Sequence, residues 1–146
     1  MHPEYCEQVT QQNLEKISVL AQDKKVVAIG EIGLDYHYDG FDRQKQIDGF
    51  VSQLKLAYSL KLPIVIHLRD AYEDMLKILK ENKEFLKYGF DIHCCSVSVE
   101  IAKEILKLGG YFSFTGNITF KNAKKTVEVI KFLPIDRIMI ETDCPY

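Results

Sequence analysis

The sequence is poor in the features that mark several special classes of protein. It has no tryptophan, four prolines, eight glycines and four cysteines among its 146 residues. That is too little glycine and proline for a collagenous or linker-like chain, and too little cysteine for a small disulfide-held scaffold. No stretch approaches the roughly 18 consecutive apolar residues of a membrane-spanning helix. The composition predicts an ordinary globular protein, with one domain over residues 1–146.

The sequence also lacks an excess of positive charge. It carries 19 basic and 21 acidic residues, for a net charge of -2. Charge alone therefore gives no support for binding a polyanion. No glycine-rich loop of the GxGxxG or GxxxxGK[ST] type is present, which argues against a nucleotide cofactor.

The N-terminal residues lack the basic and apolar regions of a signal peptide. We therefore expect a cytoplasmic location, where the cysteines stay reduced. The adjacent Cys94 and Cys95 do not have the CxxC spacing of a structural zinc site, which favours buried free thiols over a soft-metal site.

Short apolar segments alternate with longer amphipathic segments. The apolar segments are rich in β-branched residues, as in strands buried on both faces of a parallel sheet. The amphipathic segments have the i, i+3, i+4 spacing of helices. The predicted strands are 26–29, 63–66, 90–92, 111–114 and 137–140, and a helix precedes each one. This order is typical of parallel β/α units, either an open sheet or most of a (β/α)8 barrel, which normally needs about 200 residues or more.

Polar side chains follow several of the predicted strands. Glu31 comes directly after the first strand, His67 and His93 follow the next two, and Asp143 follows the last. Since functional groups of parallel β/α folds lie at the carboxyl ends of strands, these residues predict a divalent-metal site. Purely structural hydrogen bonding of the histidines is the alternative. Glu141 could equally be a buried partner of Arg69 or Arg137, and we expect His37 on the surface.

Several segments resemble the ordered motifs of one family. They are His2-Pro3 for GxHP, 27–35 for GExGLD, 43–54 for a "Q…F…QL" helix, 62–71 for LP-(apolar)3-HxRxA, 92–96 for HCFSG, 110–123 for a strand and its loop, and 140–146 for ETDxP.

With these motifs the chain resembles the TatD family of metal-dependent deoxyribonucleases, which are amidohydrolase-like hydrolases. The resemblance implies an α/β fold of the (β/α)8 TIM-barrel type. Here the barrel would be incomplete, with about five parallel strands and without the first two strands and the last strand. Two departures, Cys95 for the usual Phe and Val97 for the usual Gly, would reshape the edge of the pocket.

The resemblance also implies a function and a set of site residues. The reaction would be the divalent-metal-dependent hydrolysis of phosphodiester bonds in DNA. Magnesium is the ion we expect for activity, and zinc, manganese or nickel would also fit the ligands. The implied metal ligands are Glu31, His67, His93 and Asp143; Glu31 and Asp143 are the catalytic residues; Arg69 and His2 would contact the substrate.

The incomplete barrel leaves other readings open. The family's first strand carries an HxH pair of ligands, and without it the remaining ligands would hold a single ion, so the activity of this chain by itself is open. A related barrel hydrolase acting on another ester or amide is one alternative. A non-catalytic remnant that forms an oligomer through exposed sheet edges is another.

Overall fold

A five-stranded parallel sheet forms the centre of the computed structural model, which describes residues 1–144. Its strands lie side by side in the order in which they occur along the chain, and every neighbouring pair is parallel. This confirms the predicted α/β architecture with five parallel strands. The strands are β1 (Ile29–Asp35), β2 (Ile64–Arg69), β3 (Phe90–Ile92), β4 (Tyr111–Phe114) and β5 (Ile138–Ile140).

Helices precede and connect the strands as the amphipathic spacing predicts. Thr10, Asp42 and Ser98 each cap the N-terminus of a helix by accepting a hydrogen bond from a backbone N–H of its first turn. Gly109, with φ of +87°, follows the end of the helix that Ser98 caps, in the expected left-handed conformation. The helices are α1 (Gln11–Leu20), α2 (Arg43–Leu60), α3 (Tyr72–Glu81), α4 (Val99–Lys107) and α5 (Lys124–Phe132), with short 3-10 helices at Pro3–Gln8, Lys83–Leu86, Gly116–Thr119 and Ile135–Arg137.

The first two strands differ from their predictions. The second was expected at 63–66 with His67 after its end, but β2 runs from Ile64 to Arg69 and contains His67. The first strand differs further. We expected it at 26–29, with Glu31 after its end, but β1 begins at Ile29 and continues through Glu31 to Asp35. Val27 is 74% exposed, and pairing with β2 begins at Ile29. The register between the two strands then shifts before Ile32. The GExG segment therefore reads like a turn in the sequence but forms the central part of a paired strand.

The hydrophobic core joins the strands to the helices. Phe112 of β4 and Ile66 of β2 are fully buried, and so are Leu54 of α2 and Ile105 of α4. Cys95 and Val97 also belong to this core. The two departures from the family motif therefore lie in packed apolar surroundings, and their effect on the edge of the pocket stays a prediction.

The described sheet is open, with β1 and β5 as its outer strands. Met139 and Ile140 of β5 are 41% and 92% exposed. Oligomer formation through these edges stays a prediction. Within residues 1–144, no helix is both long and apolar enough to cross a membrane.

Candidate metal centre

The carboxyl-terminal half of the sheet brings the predicted ligands together. Glu31 lies within β1, and His67 of β2 is level with Gly33, two residues beyond Glu31. His93 follows the end of β3 directly, and Asp143 lies three residues beyond the end of β5. Two residues within β1 and β2 and two residues just beyond β3 and β5 thus meet, because all of these strands run in the same direction through one sheet.

Glu31 is the centre of this arrangement. Its Oε2 lies 3.6 Å from His67 Nδ1 and 3.6 Å from His93 Nε2. Asp143 Oδ1 lies 3.4 Å from the same His93 Nε2. Glu31, His93 and Asp143 form one group whose ligand atoms all lie within 4.8 Å of one another. This is the spacing that one shared cation would require.

A second group contains a residue that we did not expect among the ligands. His2, Glu31 and His67 also offer ligand atoms within 4.8 Å of one another. The His2 ring packs edge-on against the His67 ring, with 4.3 Å between their centroids. The resemblance implied a substrate contact for His2, and the signal for its position was the GxHP motif. Glu31 is therefore common to two overlapping groups of donors.

The chemistry of the donors fits a divalent cation. Both groups combine imidazole nitrogens with carboxylate oxygens, a mixture that suits zinc, manganese, iron or nickel. Magnesium prefers oxygen ligands and keeps several waters, which the exposed side of this site would admit. Asp143 and Glu31 have 44% and 36% of their side chains exposed.

His67 and His93 each have a second carboxylate at the ring nitrogen that does not face Glu31. Asp35 Oδ2 lies 2.8 Å from His67 Nε2, and Glu141 Oε2 lies 2.6 Å from His93 Nδ1. The alternative partners of Glu141 are therefore wrong. Arg69 packs its guanidinium over the Tyr38 ring, and Arg137 packs over Tyr111. Glu141 reaches His93 because β5 lies beside β4, whose neighbour on the other side is β3.

The same carboxylates shape the charge of the site. The imidazole of His67 lowers the pKa of Glu31 below its ordinary value, since it stabilises the ionised form. Burial by itself would lower the pKa of His67, but the neighbouring carboxylates of Glu31 and Asp35 outweigh it and raise that pKa. Burial, followed by the charge of His67, lowers the pKa of His2. The pKa values of His2 and His67 are thus shifted in opposite directions, although both rings lie beside Glu31.

A buried glutamine holds Asp35 in place. Gln46 of α2 is 1% exposed, and its side-chain amide accepts from the Asp35 N–H and donates to the Asp35 carbonyl, both at 2.8 Å. The pair of bonds fixes the end of β1 and with it the carboxylate on His67. The "Q…F…QL" motif contained this residue, but its partner could not be read from the sequence.

Gln46→Met is expected to lower the free energy of unfolding by about 1–3 kcal/mol, because it leaves the buried backbone groups of Asp35 without partners. Urea denaturation measures the change. Gln44→Met, at an exposed position of the same helix, is the control and should change stability by less than about 0.5 kcal/mol. Equal effects of the two substitutions would contradict the assigned role.

Other candidate residues lie apart from the donor groups. His37 is 43% exposed and pairs with Asp70 at 2.8 Å, as expected of a surface histidine. Cys94 and Cys95 are free thiols. Burial raises the pKa of Cys94, and it raises the pKa of Cys95 to about 12. Pro145 and Tyr146, the end of the ETDxP motif, lie outside the described residues.

Comparisons with known proteins agree on one family. The chain matches the family model described as TatD related DNase over residues 1–146. Over 145 residues it is 48% identical to YabD of Bacillus subtilis, an uncharacterised metal-dependent hydrolase, with 99% of this chain and 56% of YabD covered. Over 133 residues it is 36% identical to the 3'-5' ssDNA/RNA exonuclease TatD of Klebsiella pneumoniae, with 90% of this chain and 50% of the relative covered.

Among solved structures, the fold resembles that of YjjV, a TatD homologue from Escherichia coli K12. The TM-score is 0.90 at 33% sequence identity, covering 99% of this chain and 56% of YjjV. The chain therefore spans about half the length of the curated relatives it matches. The five described strands correspond to part of the barrel of such proteins.

Proposed function

Because this chain belongs to the TatD-related DNase family, we propose that it carries the divalent-metal site of a hydrolase that cleaves phosphodiester bonds in DNA. One observation carries the proposal: Glu31, His67, His93 and Asp143 converge at one end of a parallel sheet, and Glu31 belongs to both donor groups. The relatives named as metal-dependent hydrolases and as a nuclease support the same reaction class.

The proposed ligands are Glu31, His67, His93 and Asp143, with His2 as a further donor beside His67. Magnesium is the proposed activating ion, and zinc or manganese would bind the imidazole nitrogens more strongly. Bound ions would lower the pKa of a water molecule and polarise a phosphoryl oxygen. The carboxylate of Glu31, 3.6 Å from a ring nitrogen of each of two histidines, would help His67 and His93 to hold such ions.

The electrostatics of the site explain why cations would be needed before substrate binds. Glu31, Asp35, Glu141 and Asp143 surround the histidines. Such a concentration of carboxylates repels a phosphodiester. Two or more positive charges from bound ions would reverse this repulsion, even though the net charge of the whole chain is -2.

The chain's own residues have distinct proposed roles. Asp143 is the more exposed of the two catalytic carboxylates, so we assign it the role of orienting and deprotonating the attacking water. Glu31 holds its charge at the centre of the site, since the neighbouring imidazole of His67 favours its ionised form. Arg69, the last residue of β2, packs on Tyr38, and we assign it a phosphate next to the scissile one.

The direct test is cleavage of end-labelled single-stranded DNA. We expect cleavage with Mg²⁺, none after EDTA treatment, and a rate lower by more than about 100-fold in His93→Ala, since loss of a ligand should exceed the effect of losing an outer partner. His37→Ala, which removes an exposed histidine at the same end of the sheet, is the matched control and should cleave normally. A single-stranded RNA of the same sequence compares the two substrates that the K. pneumoniae relative's name includes.

Calorimetric titration with Mn²⁺ accompanies the assay. Cleavage that persists in EDTA or in His93→Ala would refute the proposed site. A folded chain that binds Mn²⁺ through His93 but cleaves no DNA would refute the nuclease activity of this chain and leave the metal site standing. A folded chain that does neither would overturn both.

A further inference from the structure

We infer that Glu141 is a positioning residue that fixes the His93 ring in the tautomer whose Nε2 is free to bind a cation. The inference rests on the proposed metal site and gives a role to Glu141, which has none in the proposed function. The nitrogen of the His93 ring that carries the proton can be determined without metal or substrate.

The hydrogen bonds of Glu141 determine where the ring proton lies. Its Oε2 is 2.6 Å from His93 Nδ1, and its Oε1 accepts from the Cys94 N–H at 2.7 Å. The Ser113 hydroxyl lies 2.7 Å from the same Oε1. An ionised carboxylate can only accept, so the proton of a neutral His93 ring must lie on Nδ1. Its Nε2 then presents a lone pair.

That lone pair points into the donor group. His93 Nε2 is the atom 3.6 Å from Glu31 Oε2 and 3.4 Å from Asp143 Oδ1. Only a deprotonated nitrogen can bind a metal. The opposite tautomer would place a hydrogen atom where the cation must sit.

Burial and backbone contacts hold Glu141 and His93 against each other. The side chain of His93 is 10% exposed, so water does not readily replace the carboxylate. Cys94 has φ of +44°, an uncommon conformation for a residue other than glycine. This conformation belongs to the turn in which its N–H meets Glu141. The Glu141 N–H in turn donates to the Phe114 carbonyl at 3.1 Å, which fixes the backbone beside β4.

His67 has an independent version of the same arrangement with the nitrogens exchanged. Asp35, which is 3% exposed, lies 2.8 Å from His67 Nε2, and His67 Nδ1 lies 3.6 Å from Glu31. Carboxylates that hold the outer nitrogen of a metal-binding histidine are a common device for setting its tautomer and orientation. The two histidines therefore present opposite nitrogens to one carboxylate, each with its own partner behind it.

Glu141→Gln is the decisive substitution because it keeps the size of the side chain. The amide has one oxygen to accept and one NH2 group to donate. If the oxygen keeps the bond from the Cys94 N–H, the NH2 faces His93 Nδ1. The ring must then accept at Nδ1 and carry its proton on Nε2, which blocks the cation. The opposite amide orientation would place two donors against each other at Cys94.

The experiment is nitrogen NMR of the histidine rings in the metal-free protein at about pH 9, well above the ordinary histidine pKa of roughly 6.5. The His93 signals are assigned with His93→Ala. We expect the Nδ1–H tautomer in the native chain and the Nε2–H tautomer in Glu141→Gln. Asp143→Asn is the matched control: it also removes one negative charge beside the ring, but on the Nε2 side, and should leave the tautomer unchanged.

Zn²⁺ titration gives the second readout. We expect Glu141→Gln to bind Zn²⁺ about 10–100-fold more weakly, the usual effect of losing a partner of a metal-binding histidine. A native His93 with its proton on Nε2, or a tautomer unaffected by Glu141→Gln, would overturn the inference. If the tautomers are as predicted but the native chain binds no Zn²⁺, the role of Glu141 is upheld and the proposed metal site is refuted.

Discussion

Glu31→Gln is expected to remove more divalent-cation affinity than substitution of any other donor in the described part of the chain. Glu31 is common to both donor groups, whereas His2, His67, His93 and Asp143 each belong to one. Glutamine keeps the length of the side chain but removes its charge, and its NH2 group would face a histidine. We expect Mn²⁺ affinity, measured by calorimetry, to fall by more than the roughly 10–100-fold that loss of an outer partner causes.

Two kinds of control make this prediction specific. Glu128→Gln removes the same charge from an exposed position on α5 and should leave Mn²⁺ binding unchanged. His2→Ala and Asp143→Asn each touch one donor group, so each should weaken one binding step and spare the other. If Glu31→Gln weakened binding no more than His2→Ala does, Glu31 would not be shared and the two groups would be independent.

Much of the fold follows from local sequence patterns. Alternating apolar and amphipathic segments predict the parallel order of β1 to β5, because each connection contains a helix. Capping residues such as Asp42 and the glycine at 109 mark helix ends that the structure confirms. The meeting of Glu31, His67, His93 and Asp143 was also predictable from the order of parallel strands, although Glu31 and His67 lie within β1 and β2 and not after their ends.

The parts that the sequence did not predict depend on contacts between distant segments. β1 extends through Gly30 and Glu31 because β2 supplies pairing partners on the far side of a register shift. Glu141 pairs with a histidine because the turn at Cys94 brings that ring and the Cys94 N–H towards β5. The GxHP motif placed His2 at the site, and the structure adds that it lies beside His67 because the 3-10 helix that follows it packs against β1. The extension of β1 and the pairing of Glu141 have no signature in the spacing of residues along the chain.

Gly33→Ala is expected to cause the largest loss of stability among these substitutions. Gly33 has φ of +148°, and a Cβ atom built on it would lie 2.0 Å from the carbonyl oxygen of His67 and 3.0 Å from its carbonyl carbon. The obstacle is backbone of the paired strand β2, so it cannot rotate away as a side chain would. We expect the free energy of unfolding to fall by about 4 kcal/mol or more, an effect reserved for severe steric conflicts.

Gly116→Ala is the matched control, because an added Cβ there meets no heavy atom within 4 Å. It should change stability by less than about 0.5 kcal/mol. Urea denaturation compares the two variants, and if Gly33→Ala cannot be obtained folded, its recovery as soluble protein relative to Gly116→Ala is the readout. A Gly33→Ala chain as stable as the control would show that β1 and β2 are not in the described register.

The same substitution links the stability of the sheet to the metal site. The residue that Gly33 approaches most closely is His67, whose ring lies between Asp35 and Glu31 of the opposite strand. If β1 and β2 move apart to admit a methyl group, Asp35 and Glu31 move away from the ring together. Any folded Gly33→Ala protein should therefore bind Zn²⁺ more weakly and unfold at lower urea, whereas Glu31→Gln should lose affinity with little change in stability. Normal Zn²⁺ affinity in a strongly destabilised Gly33→Ala protein would mean that the site does not depend on the close approach of these two strands.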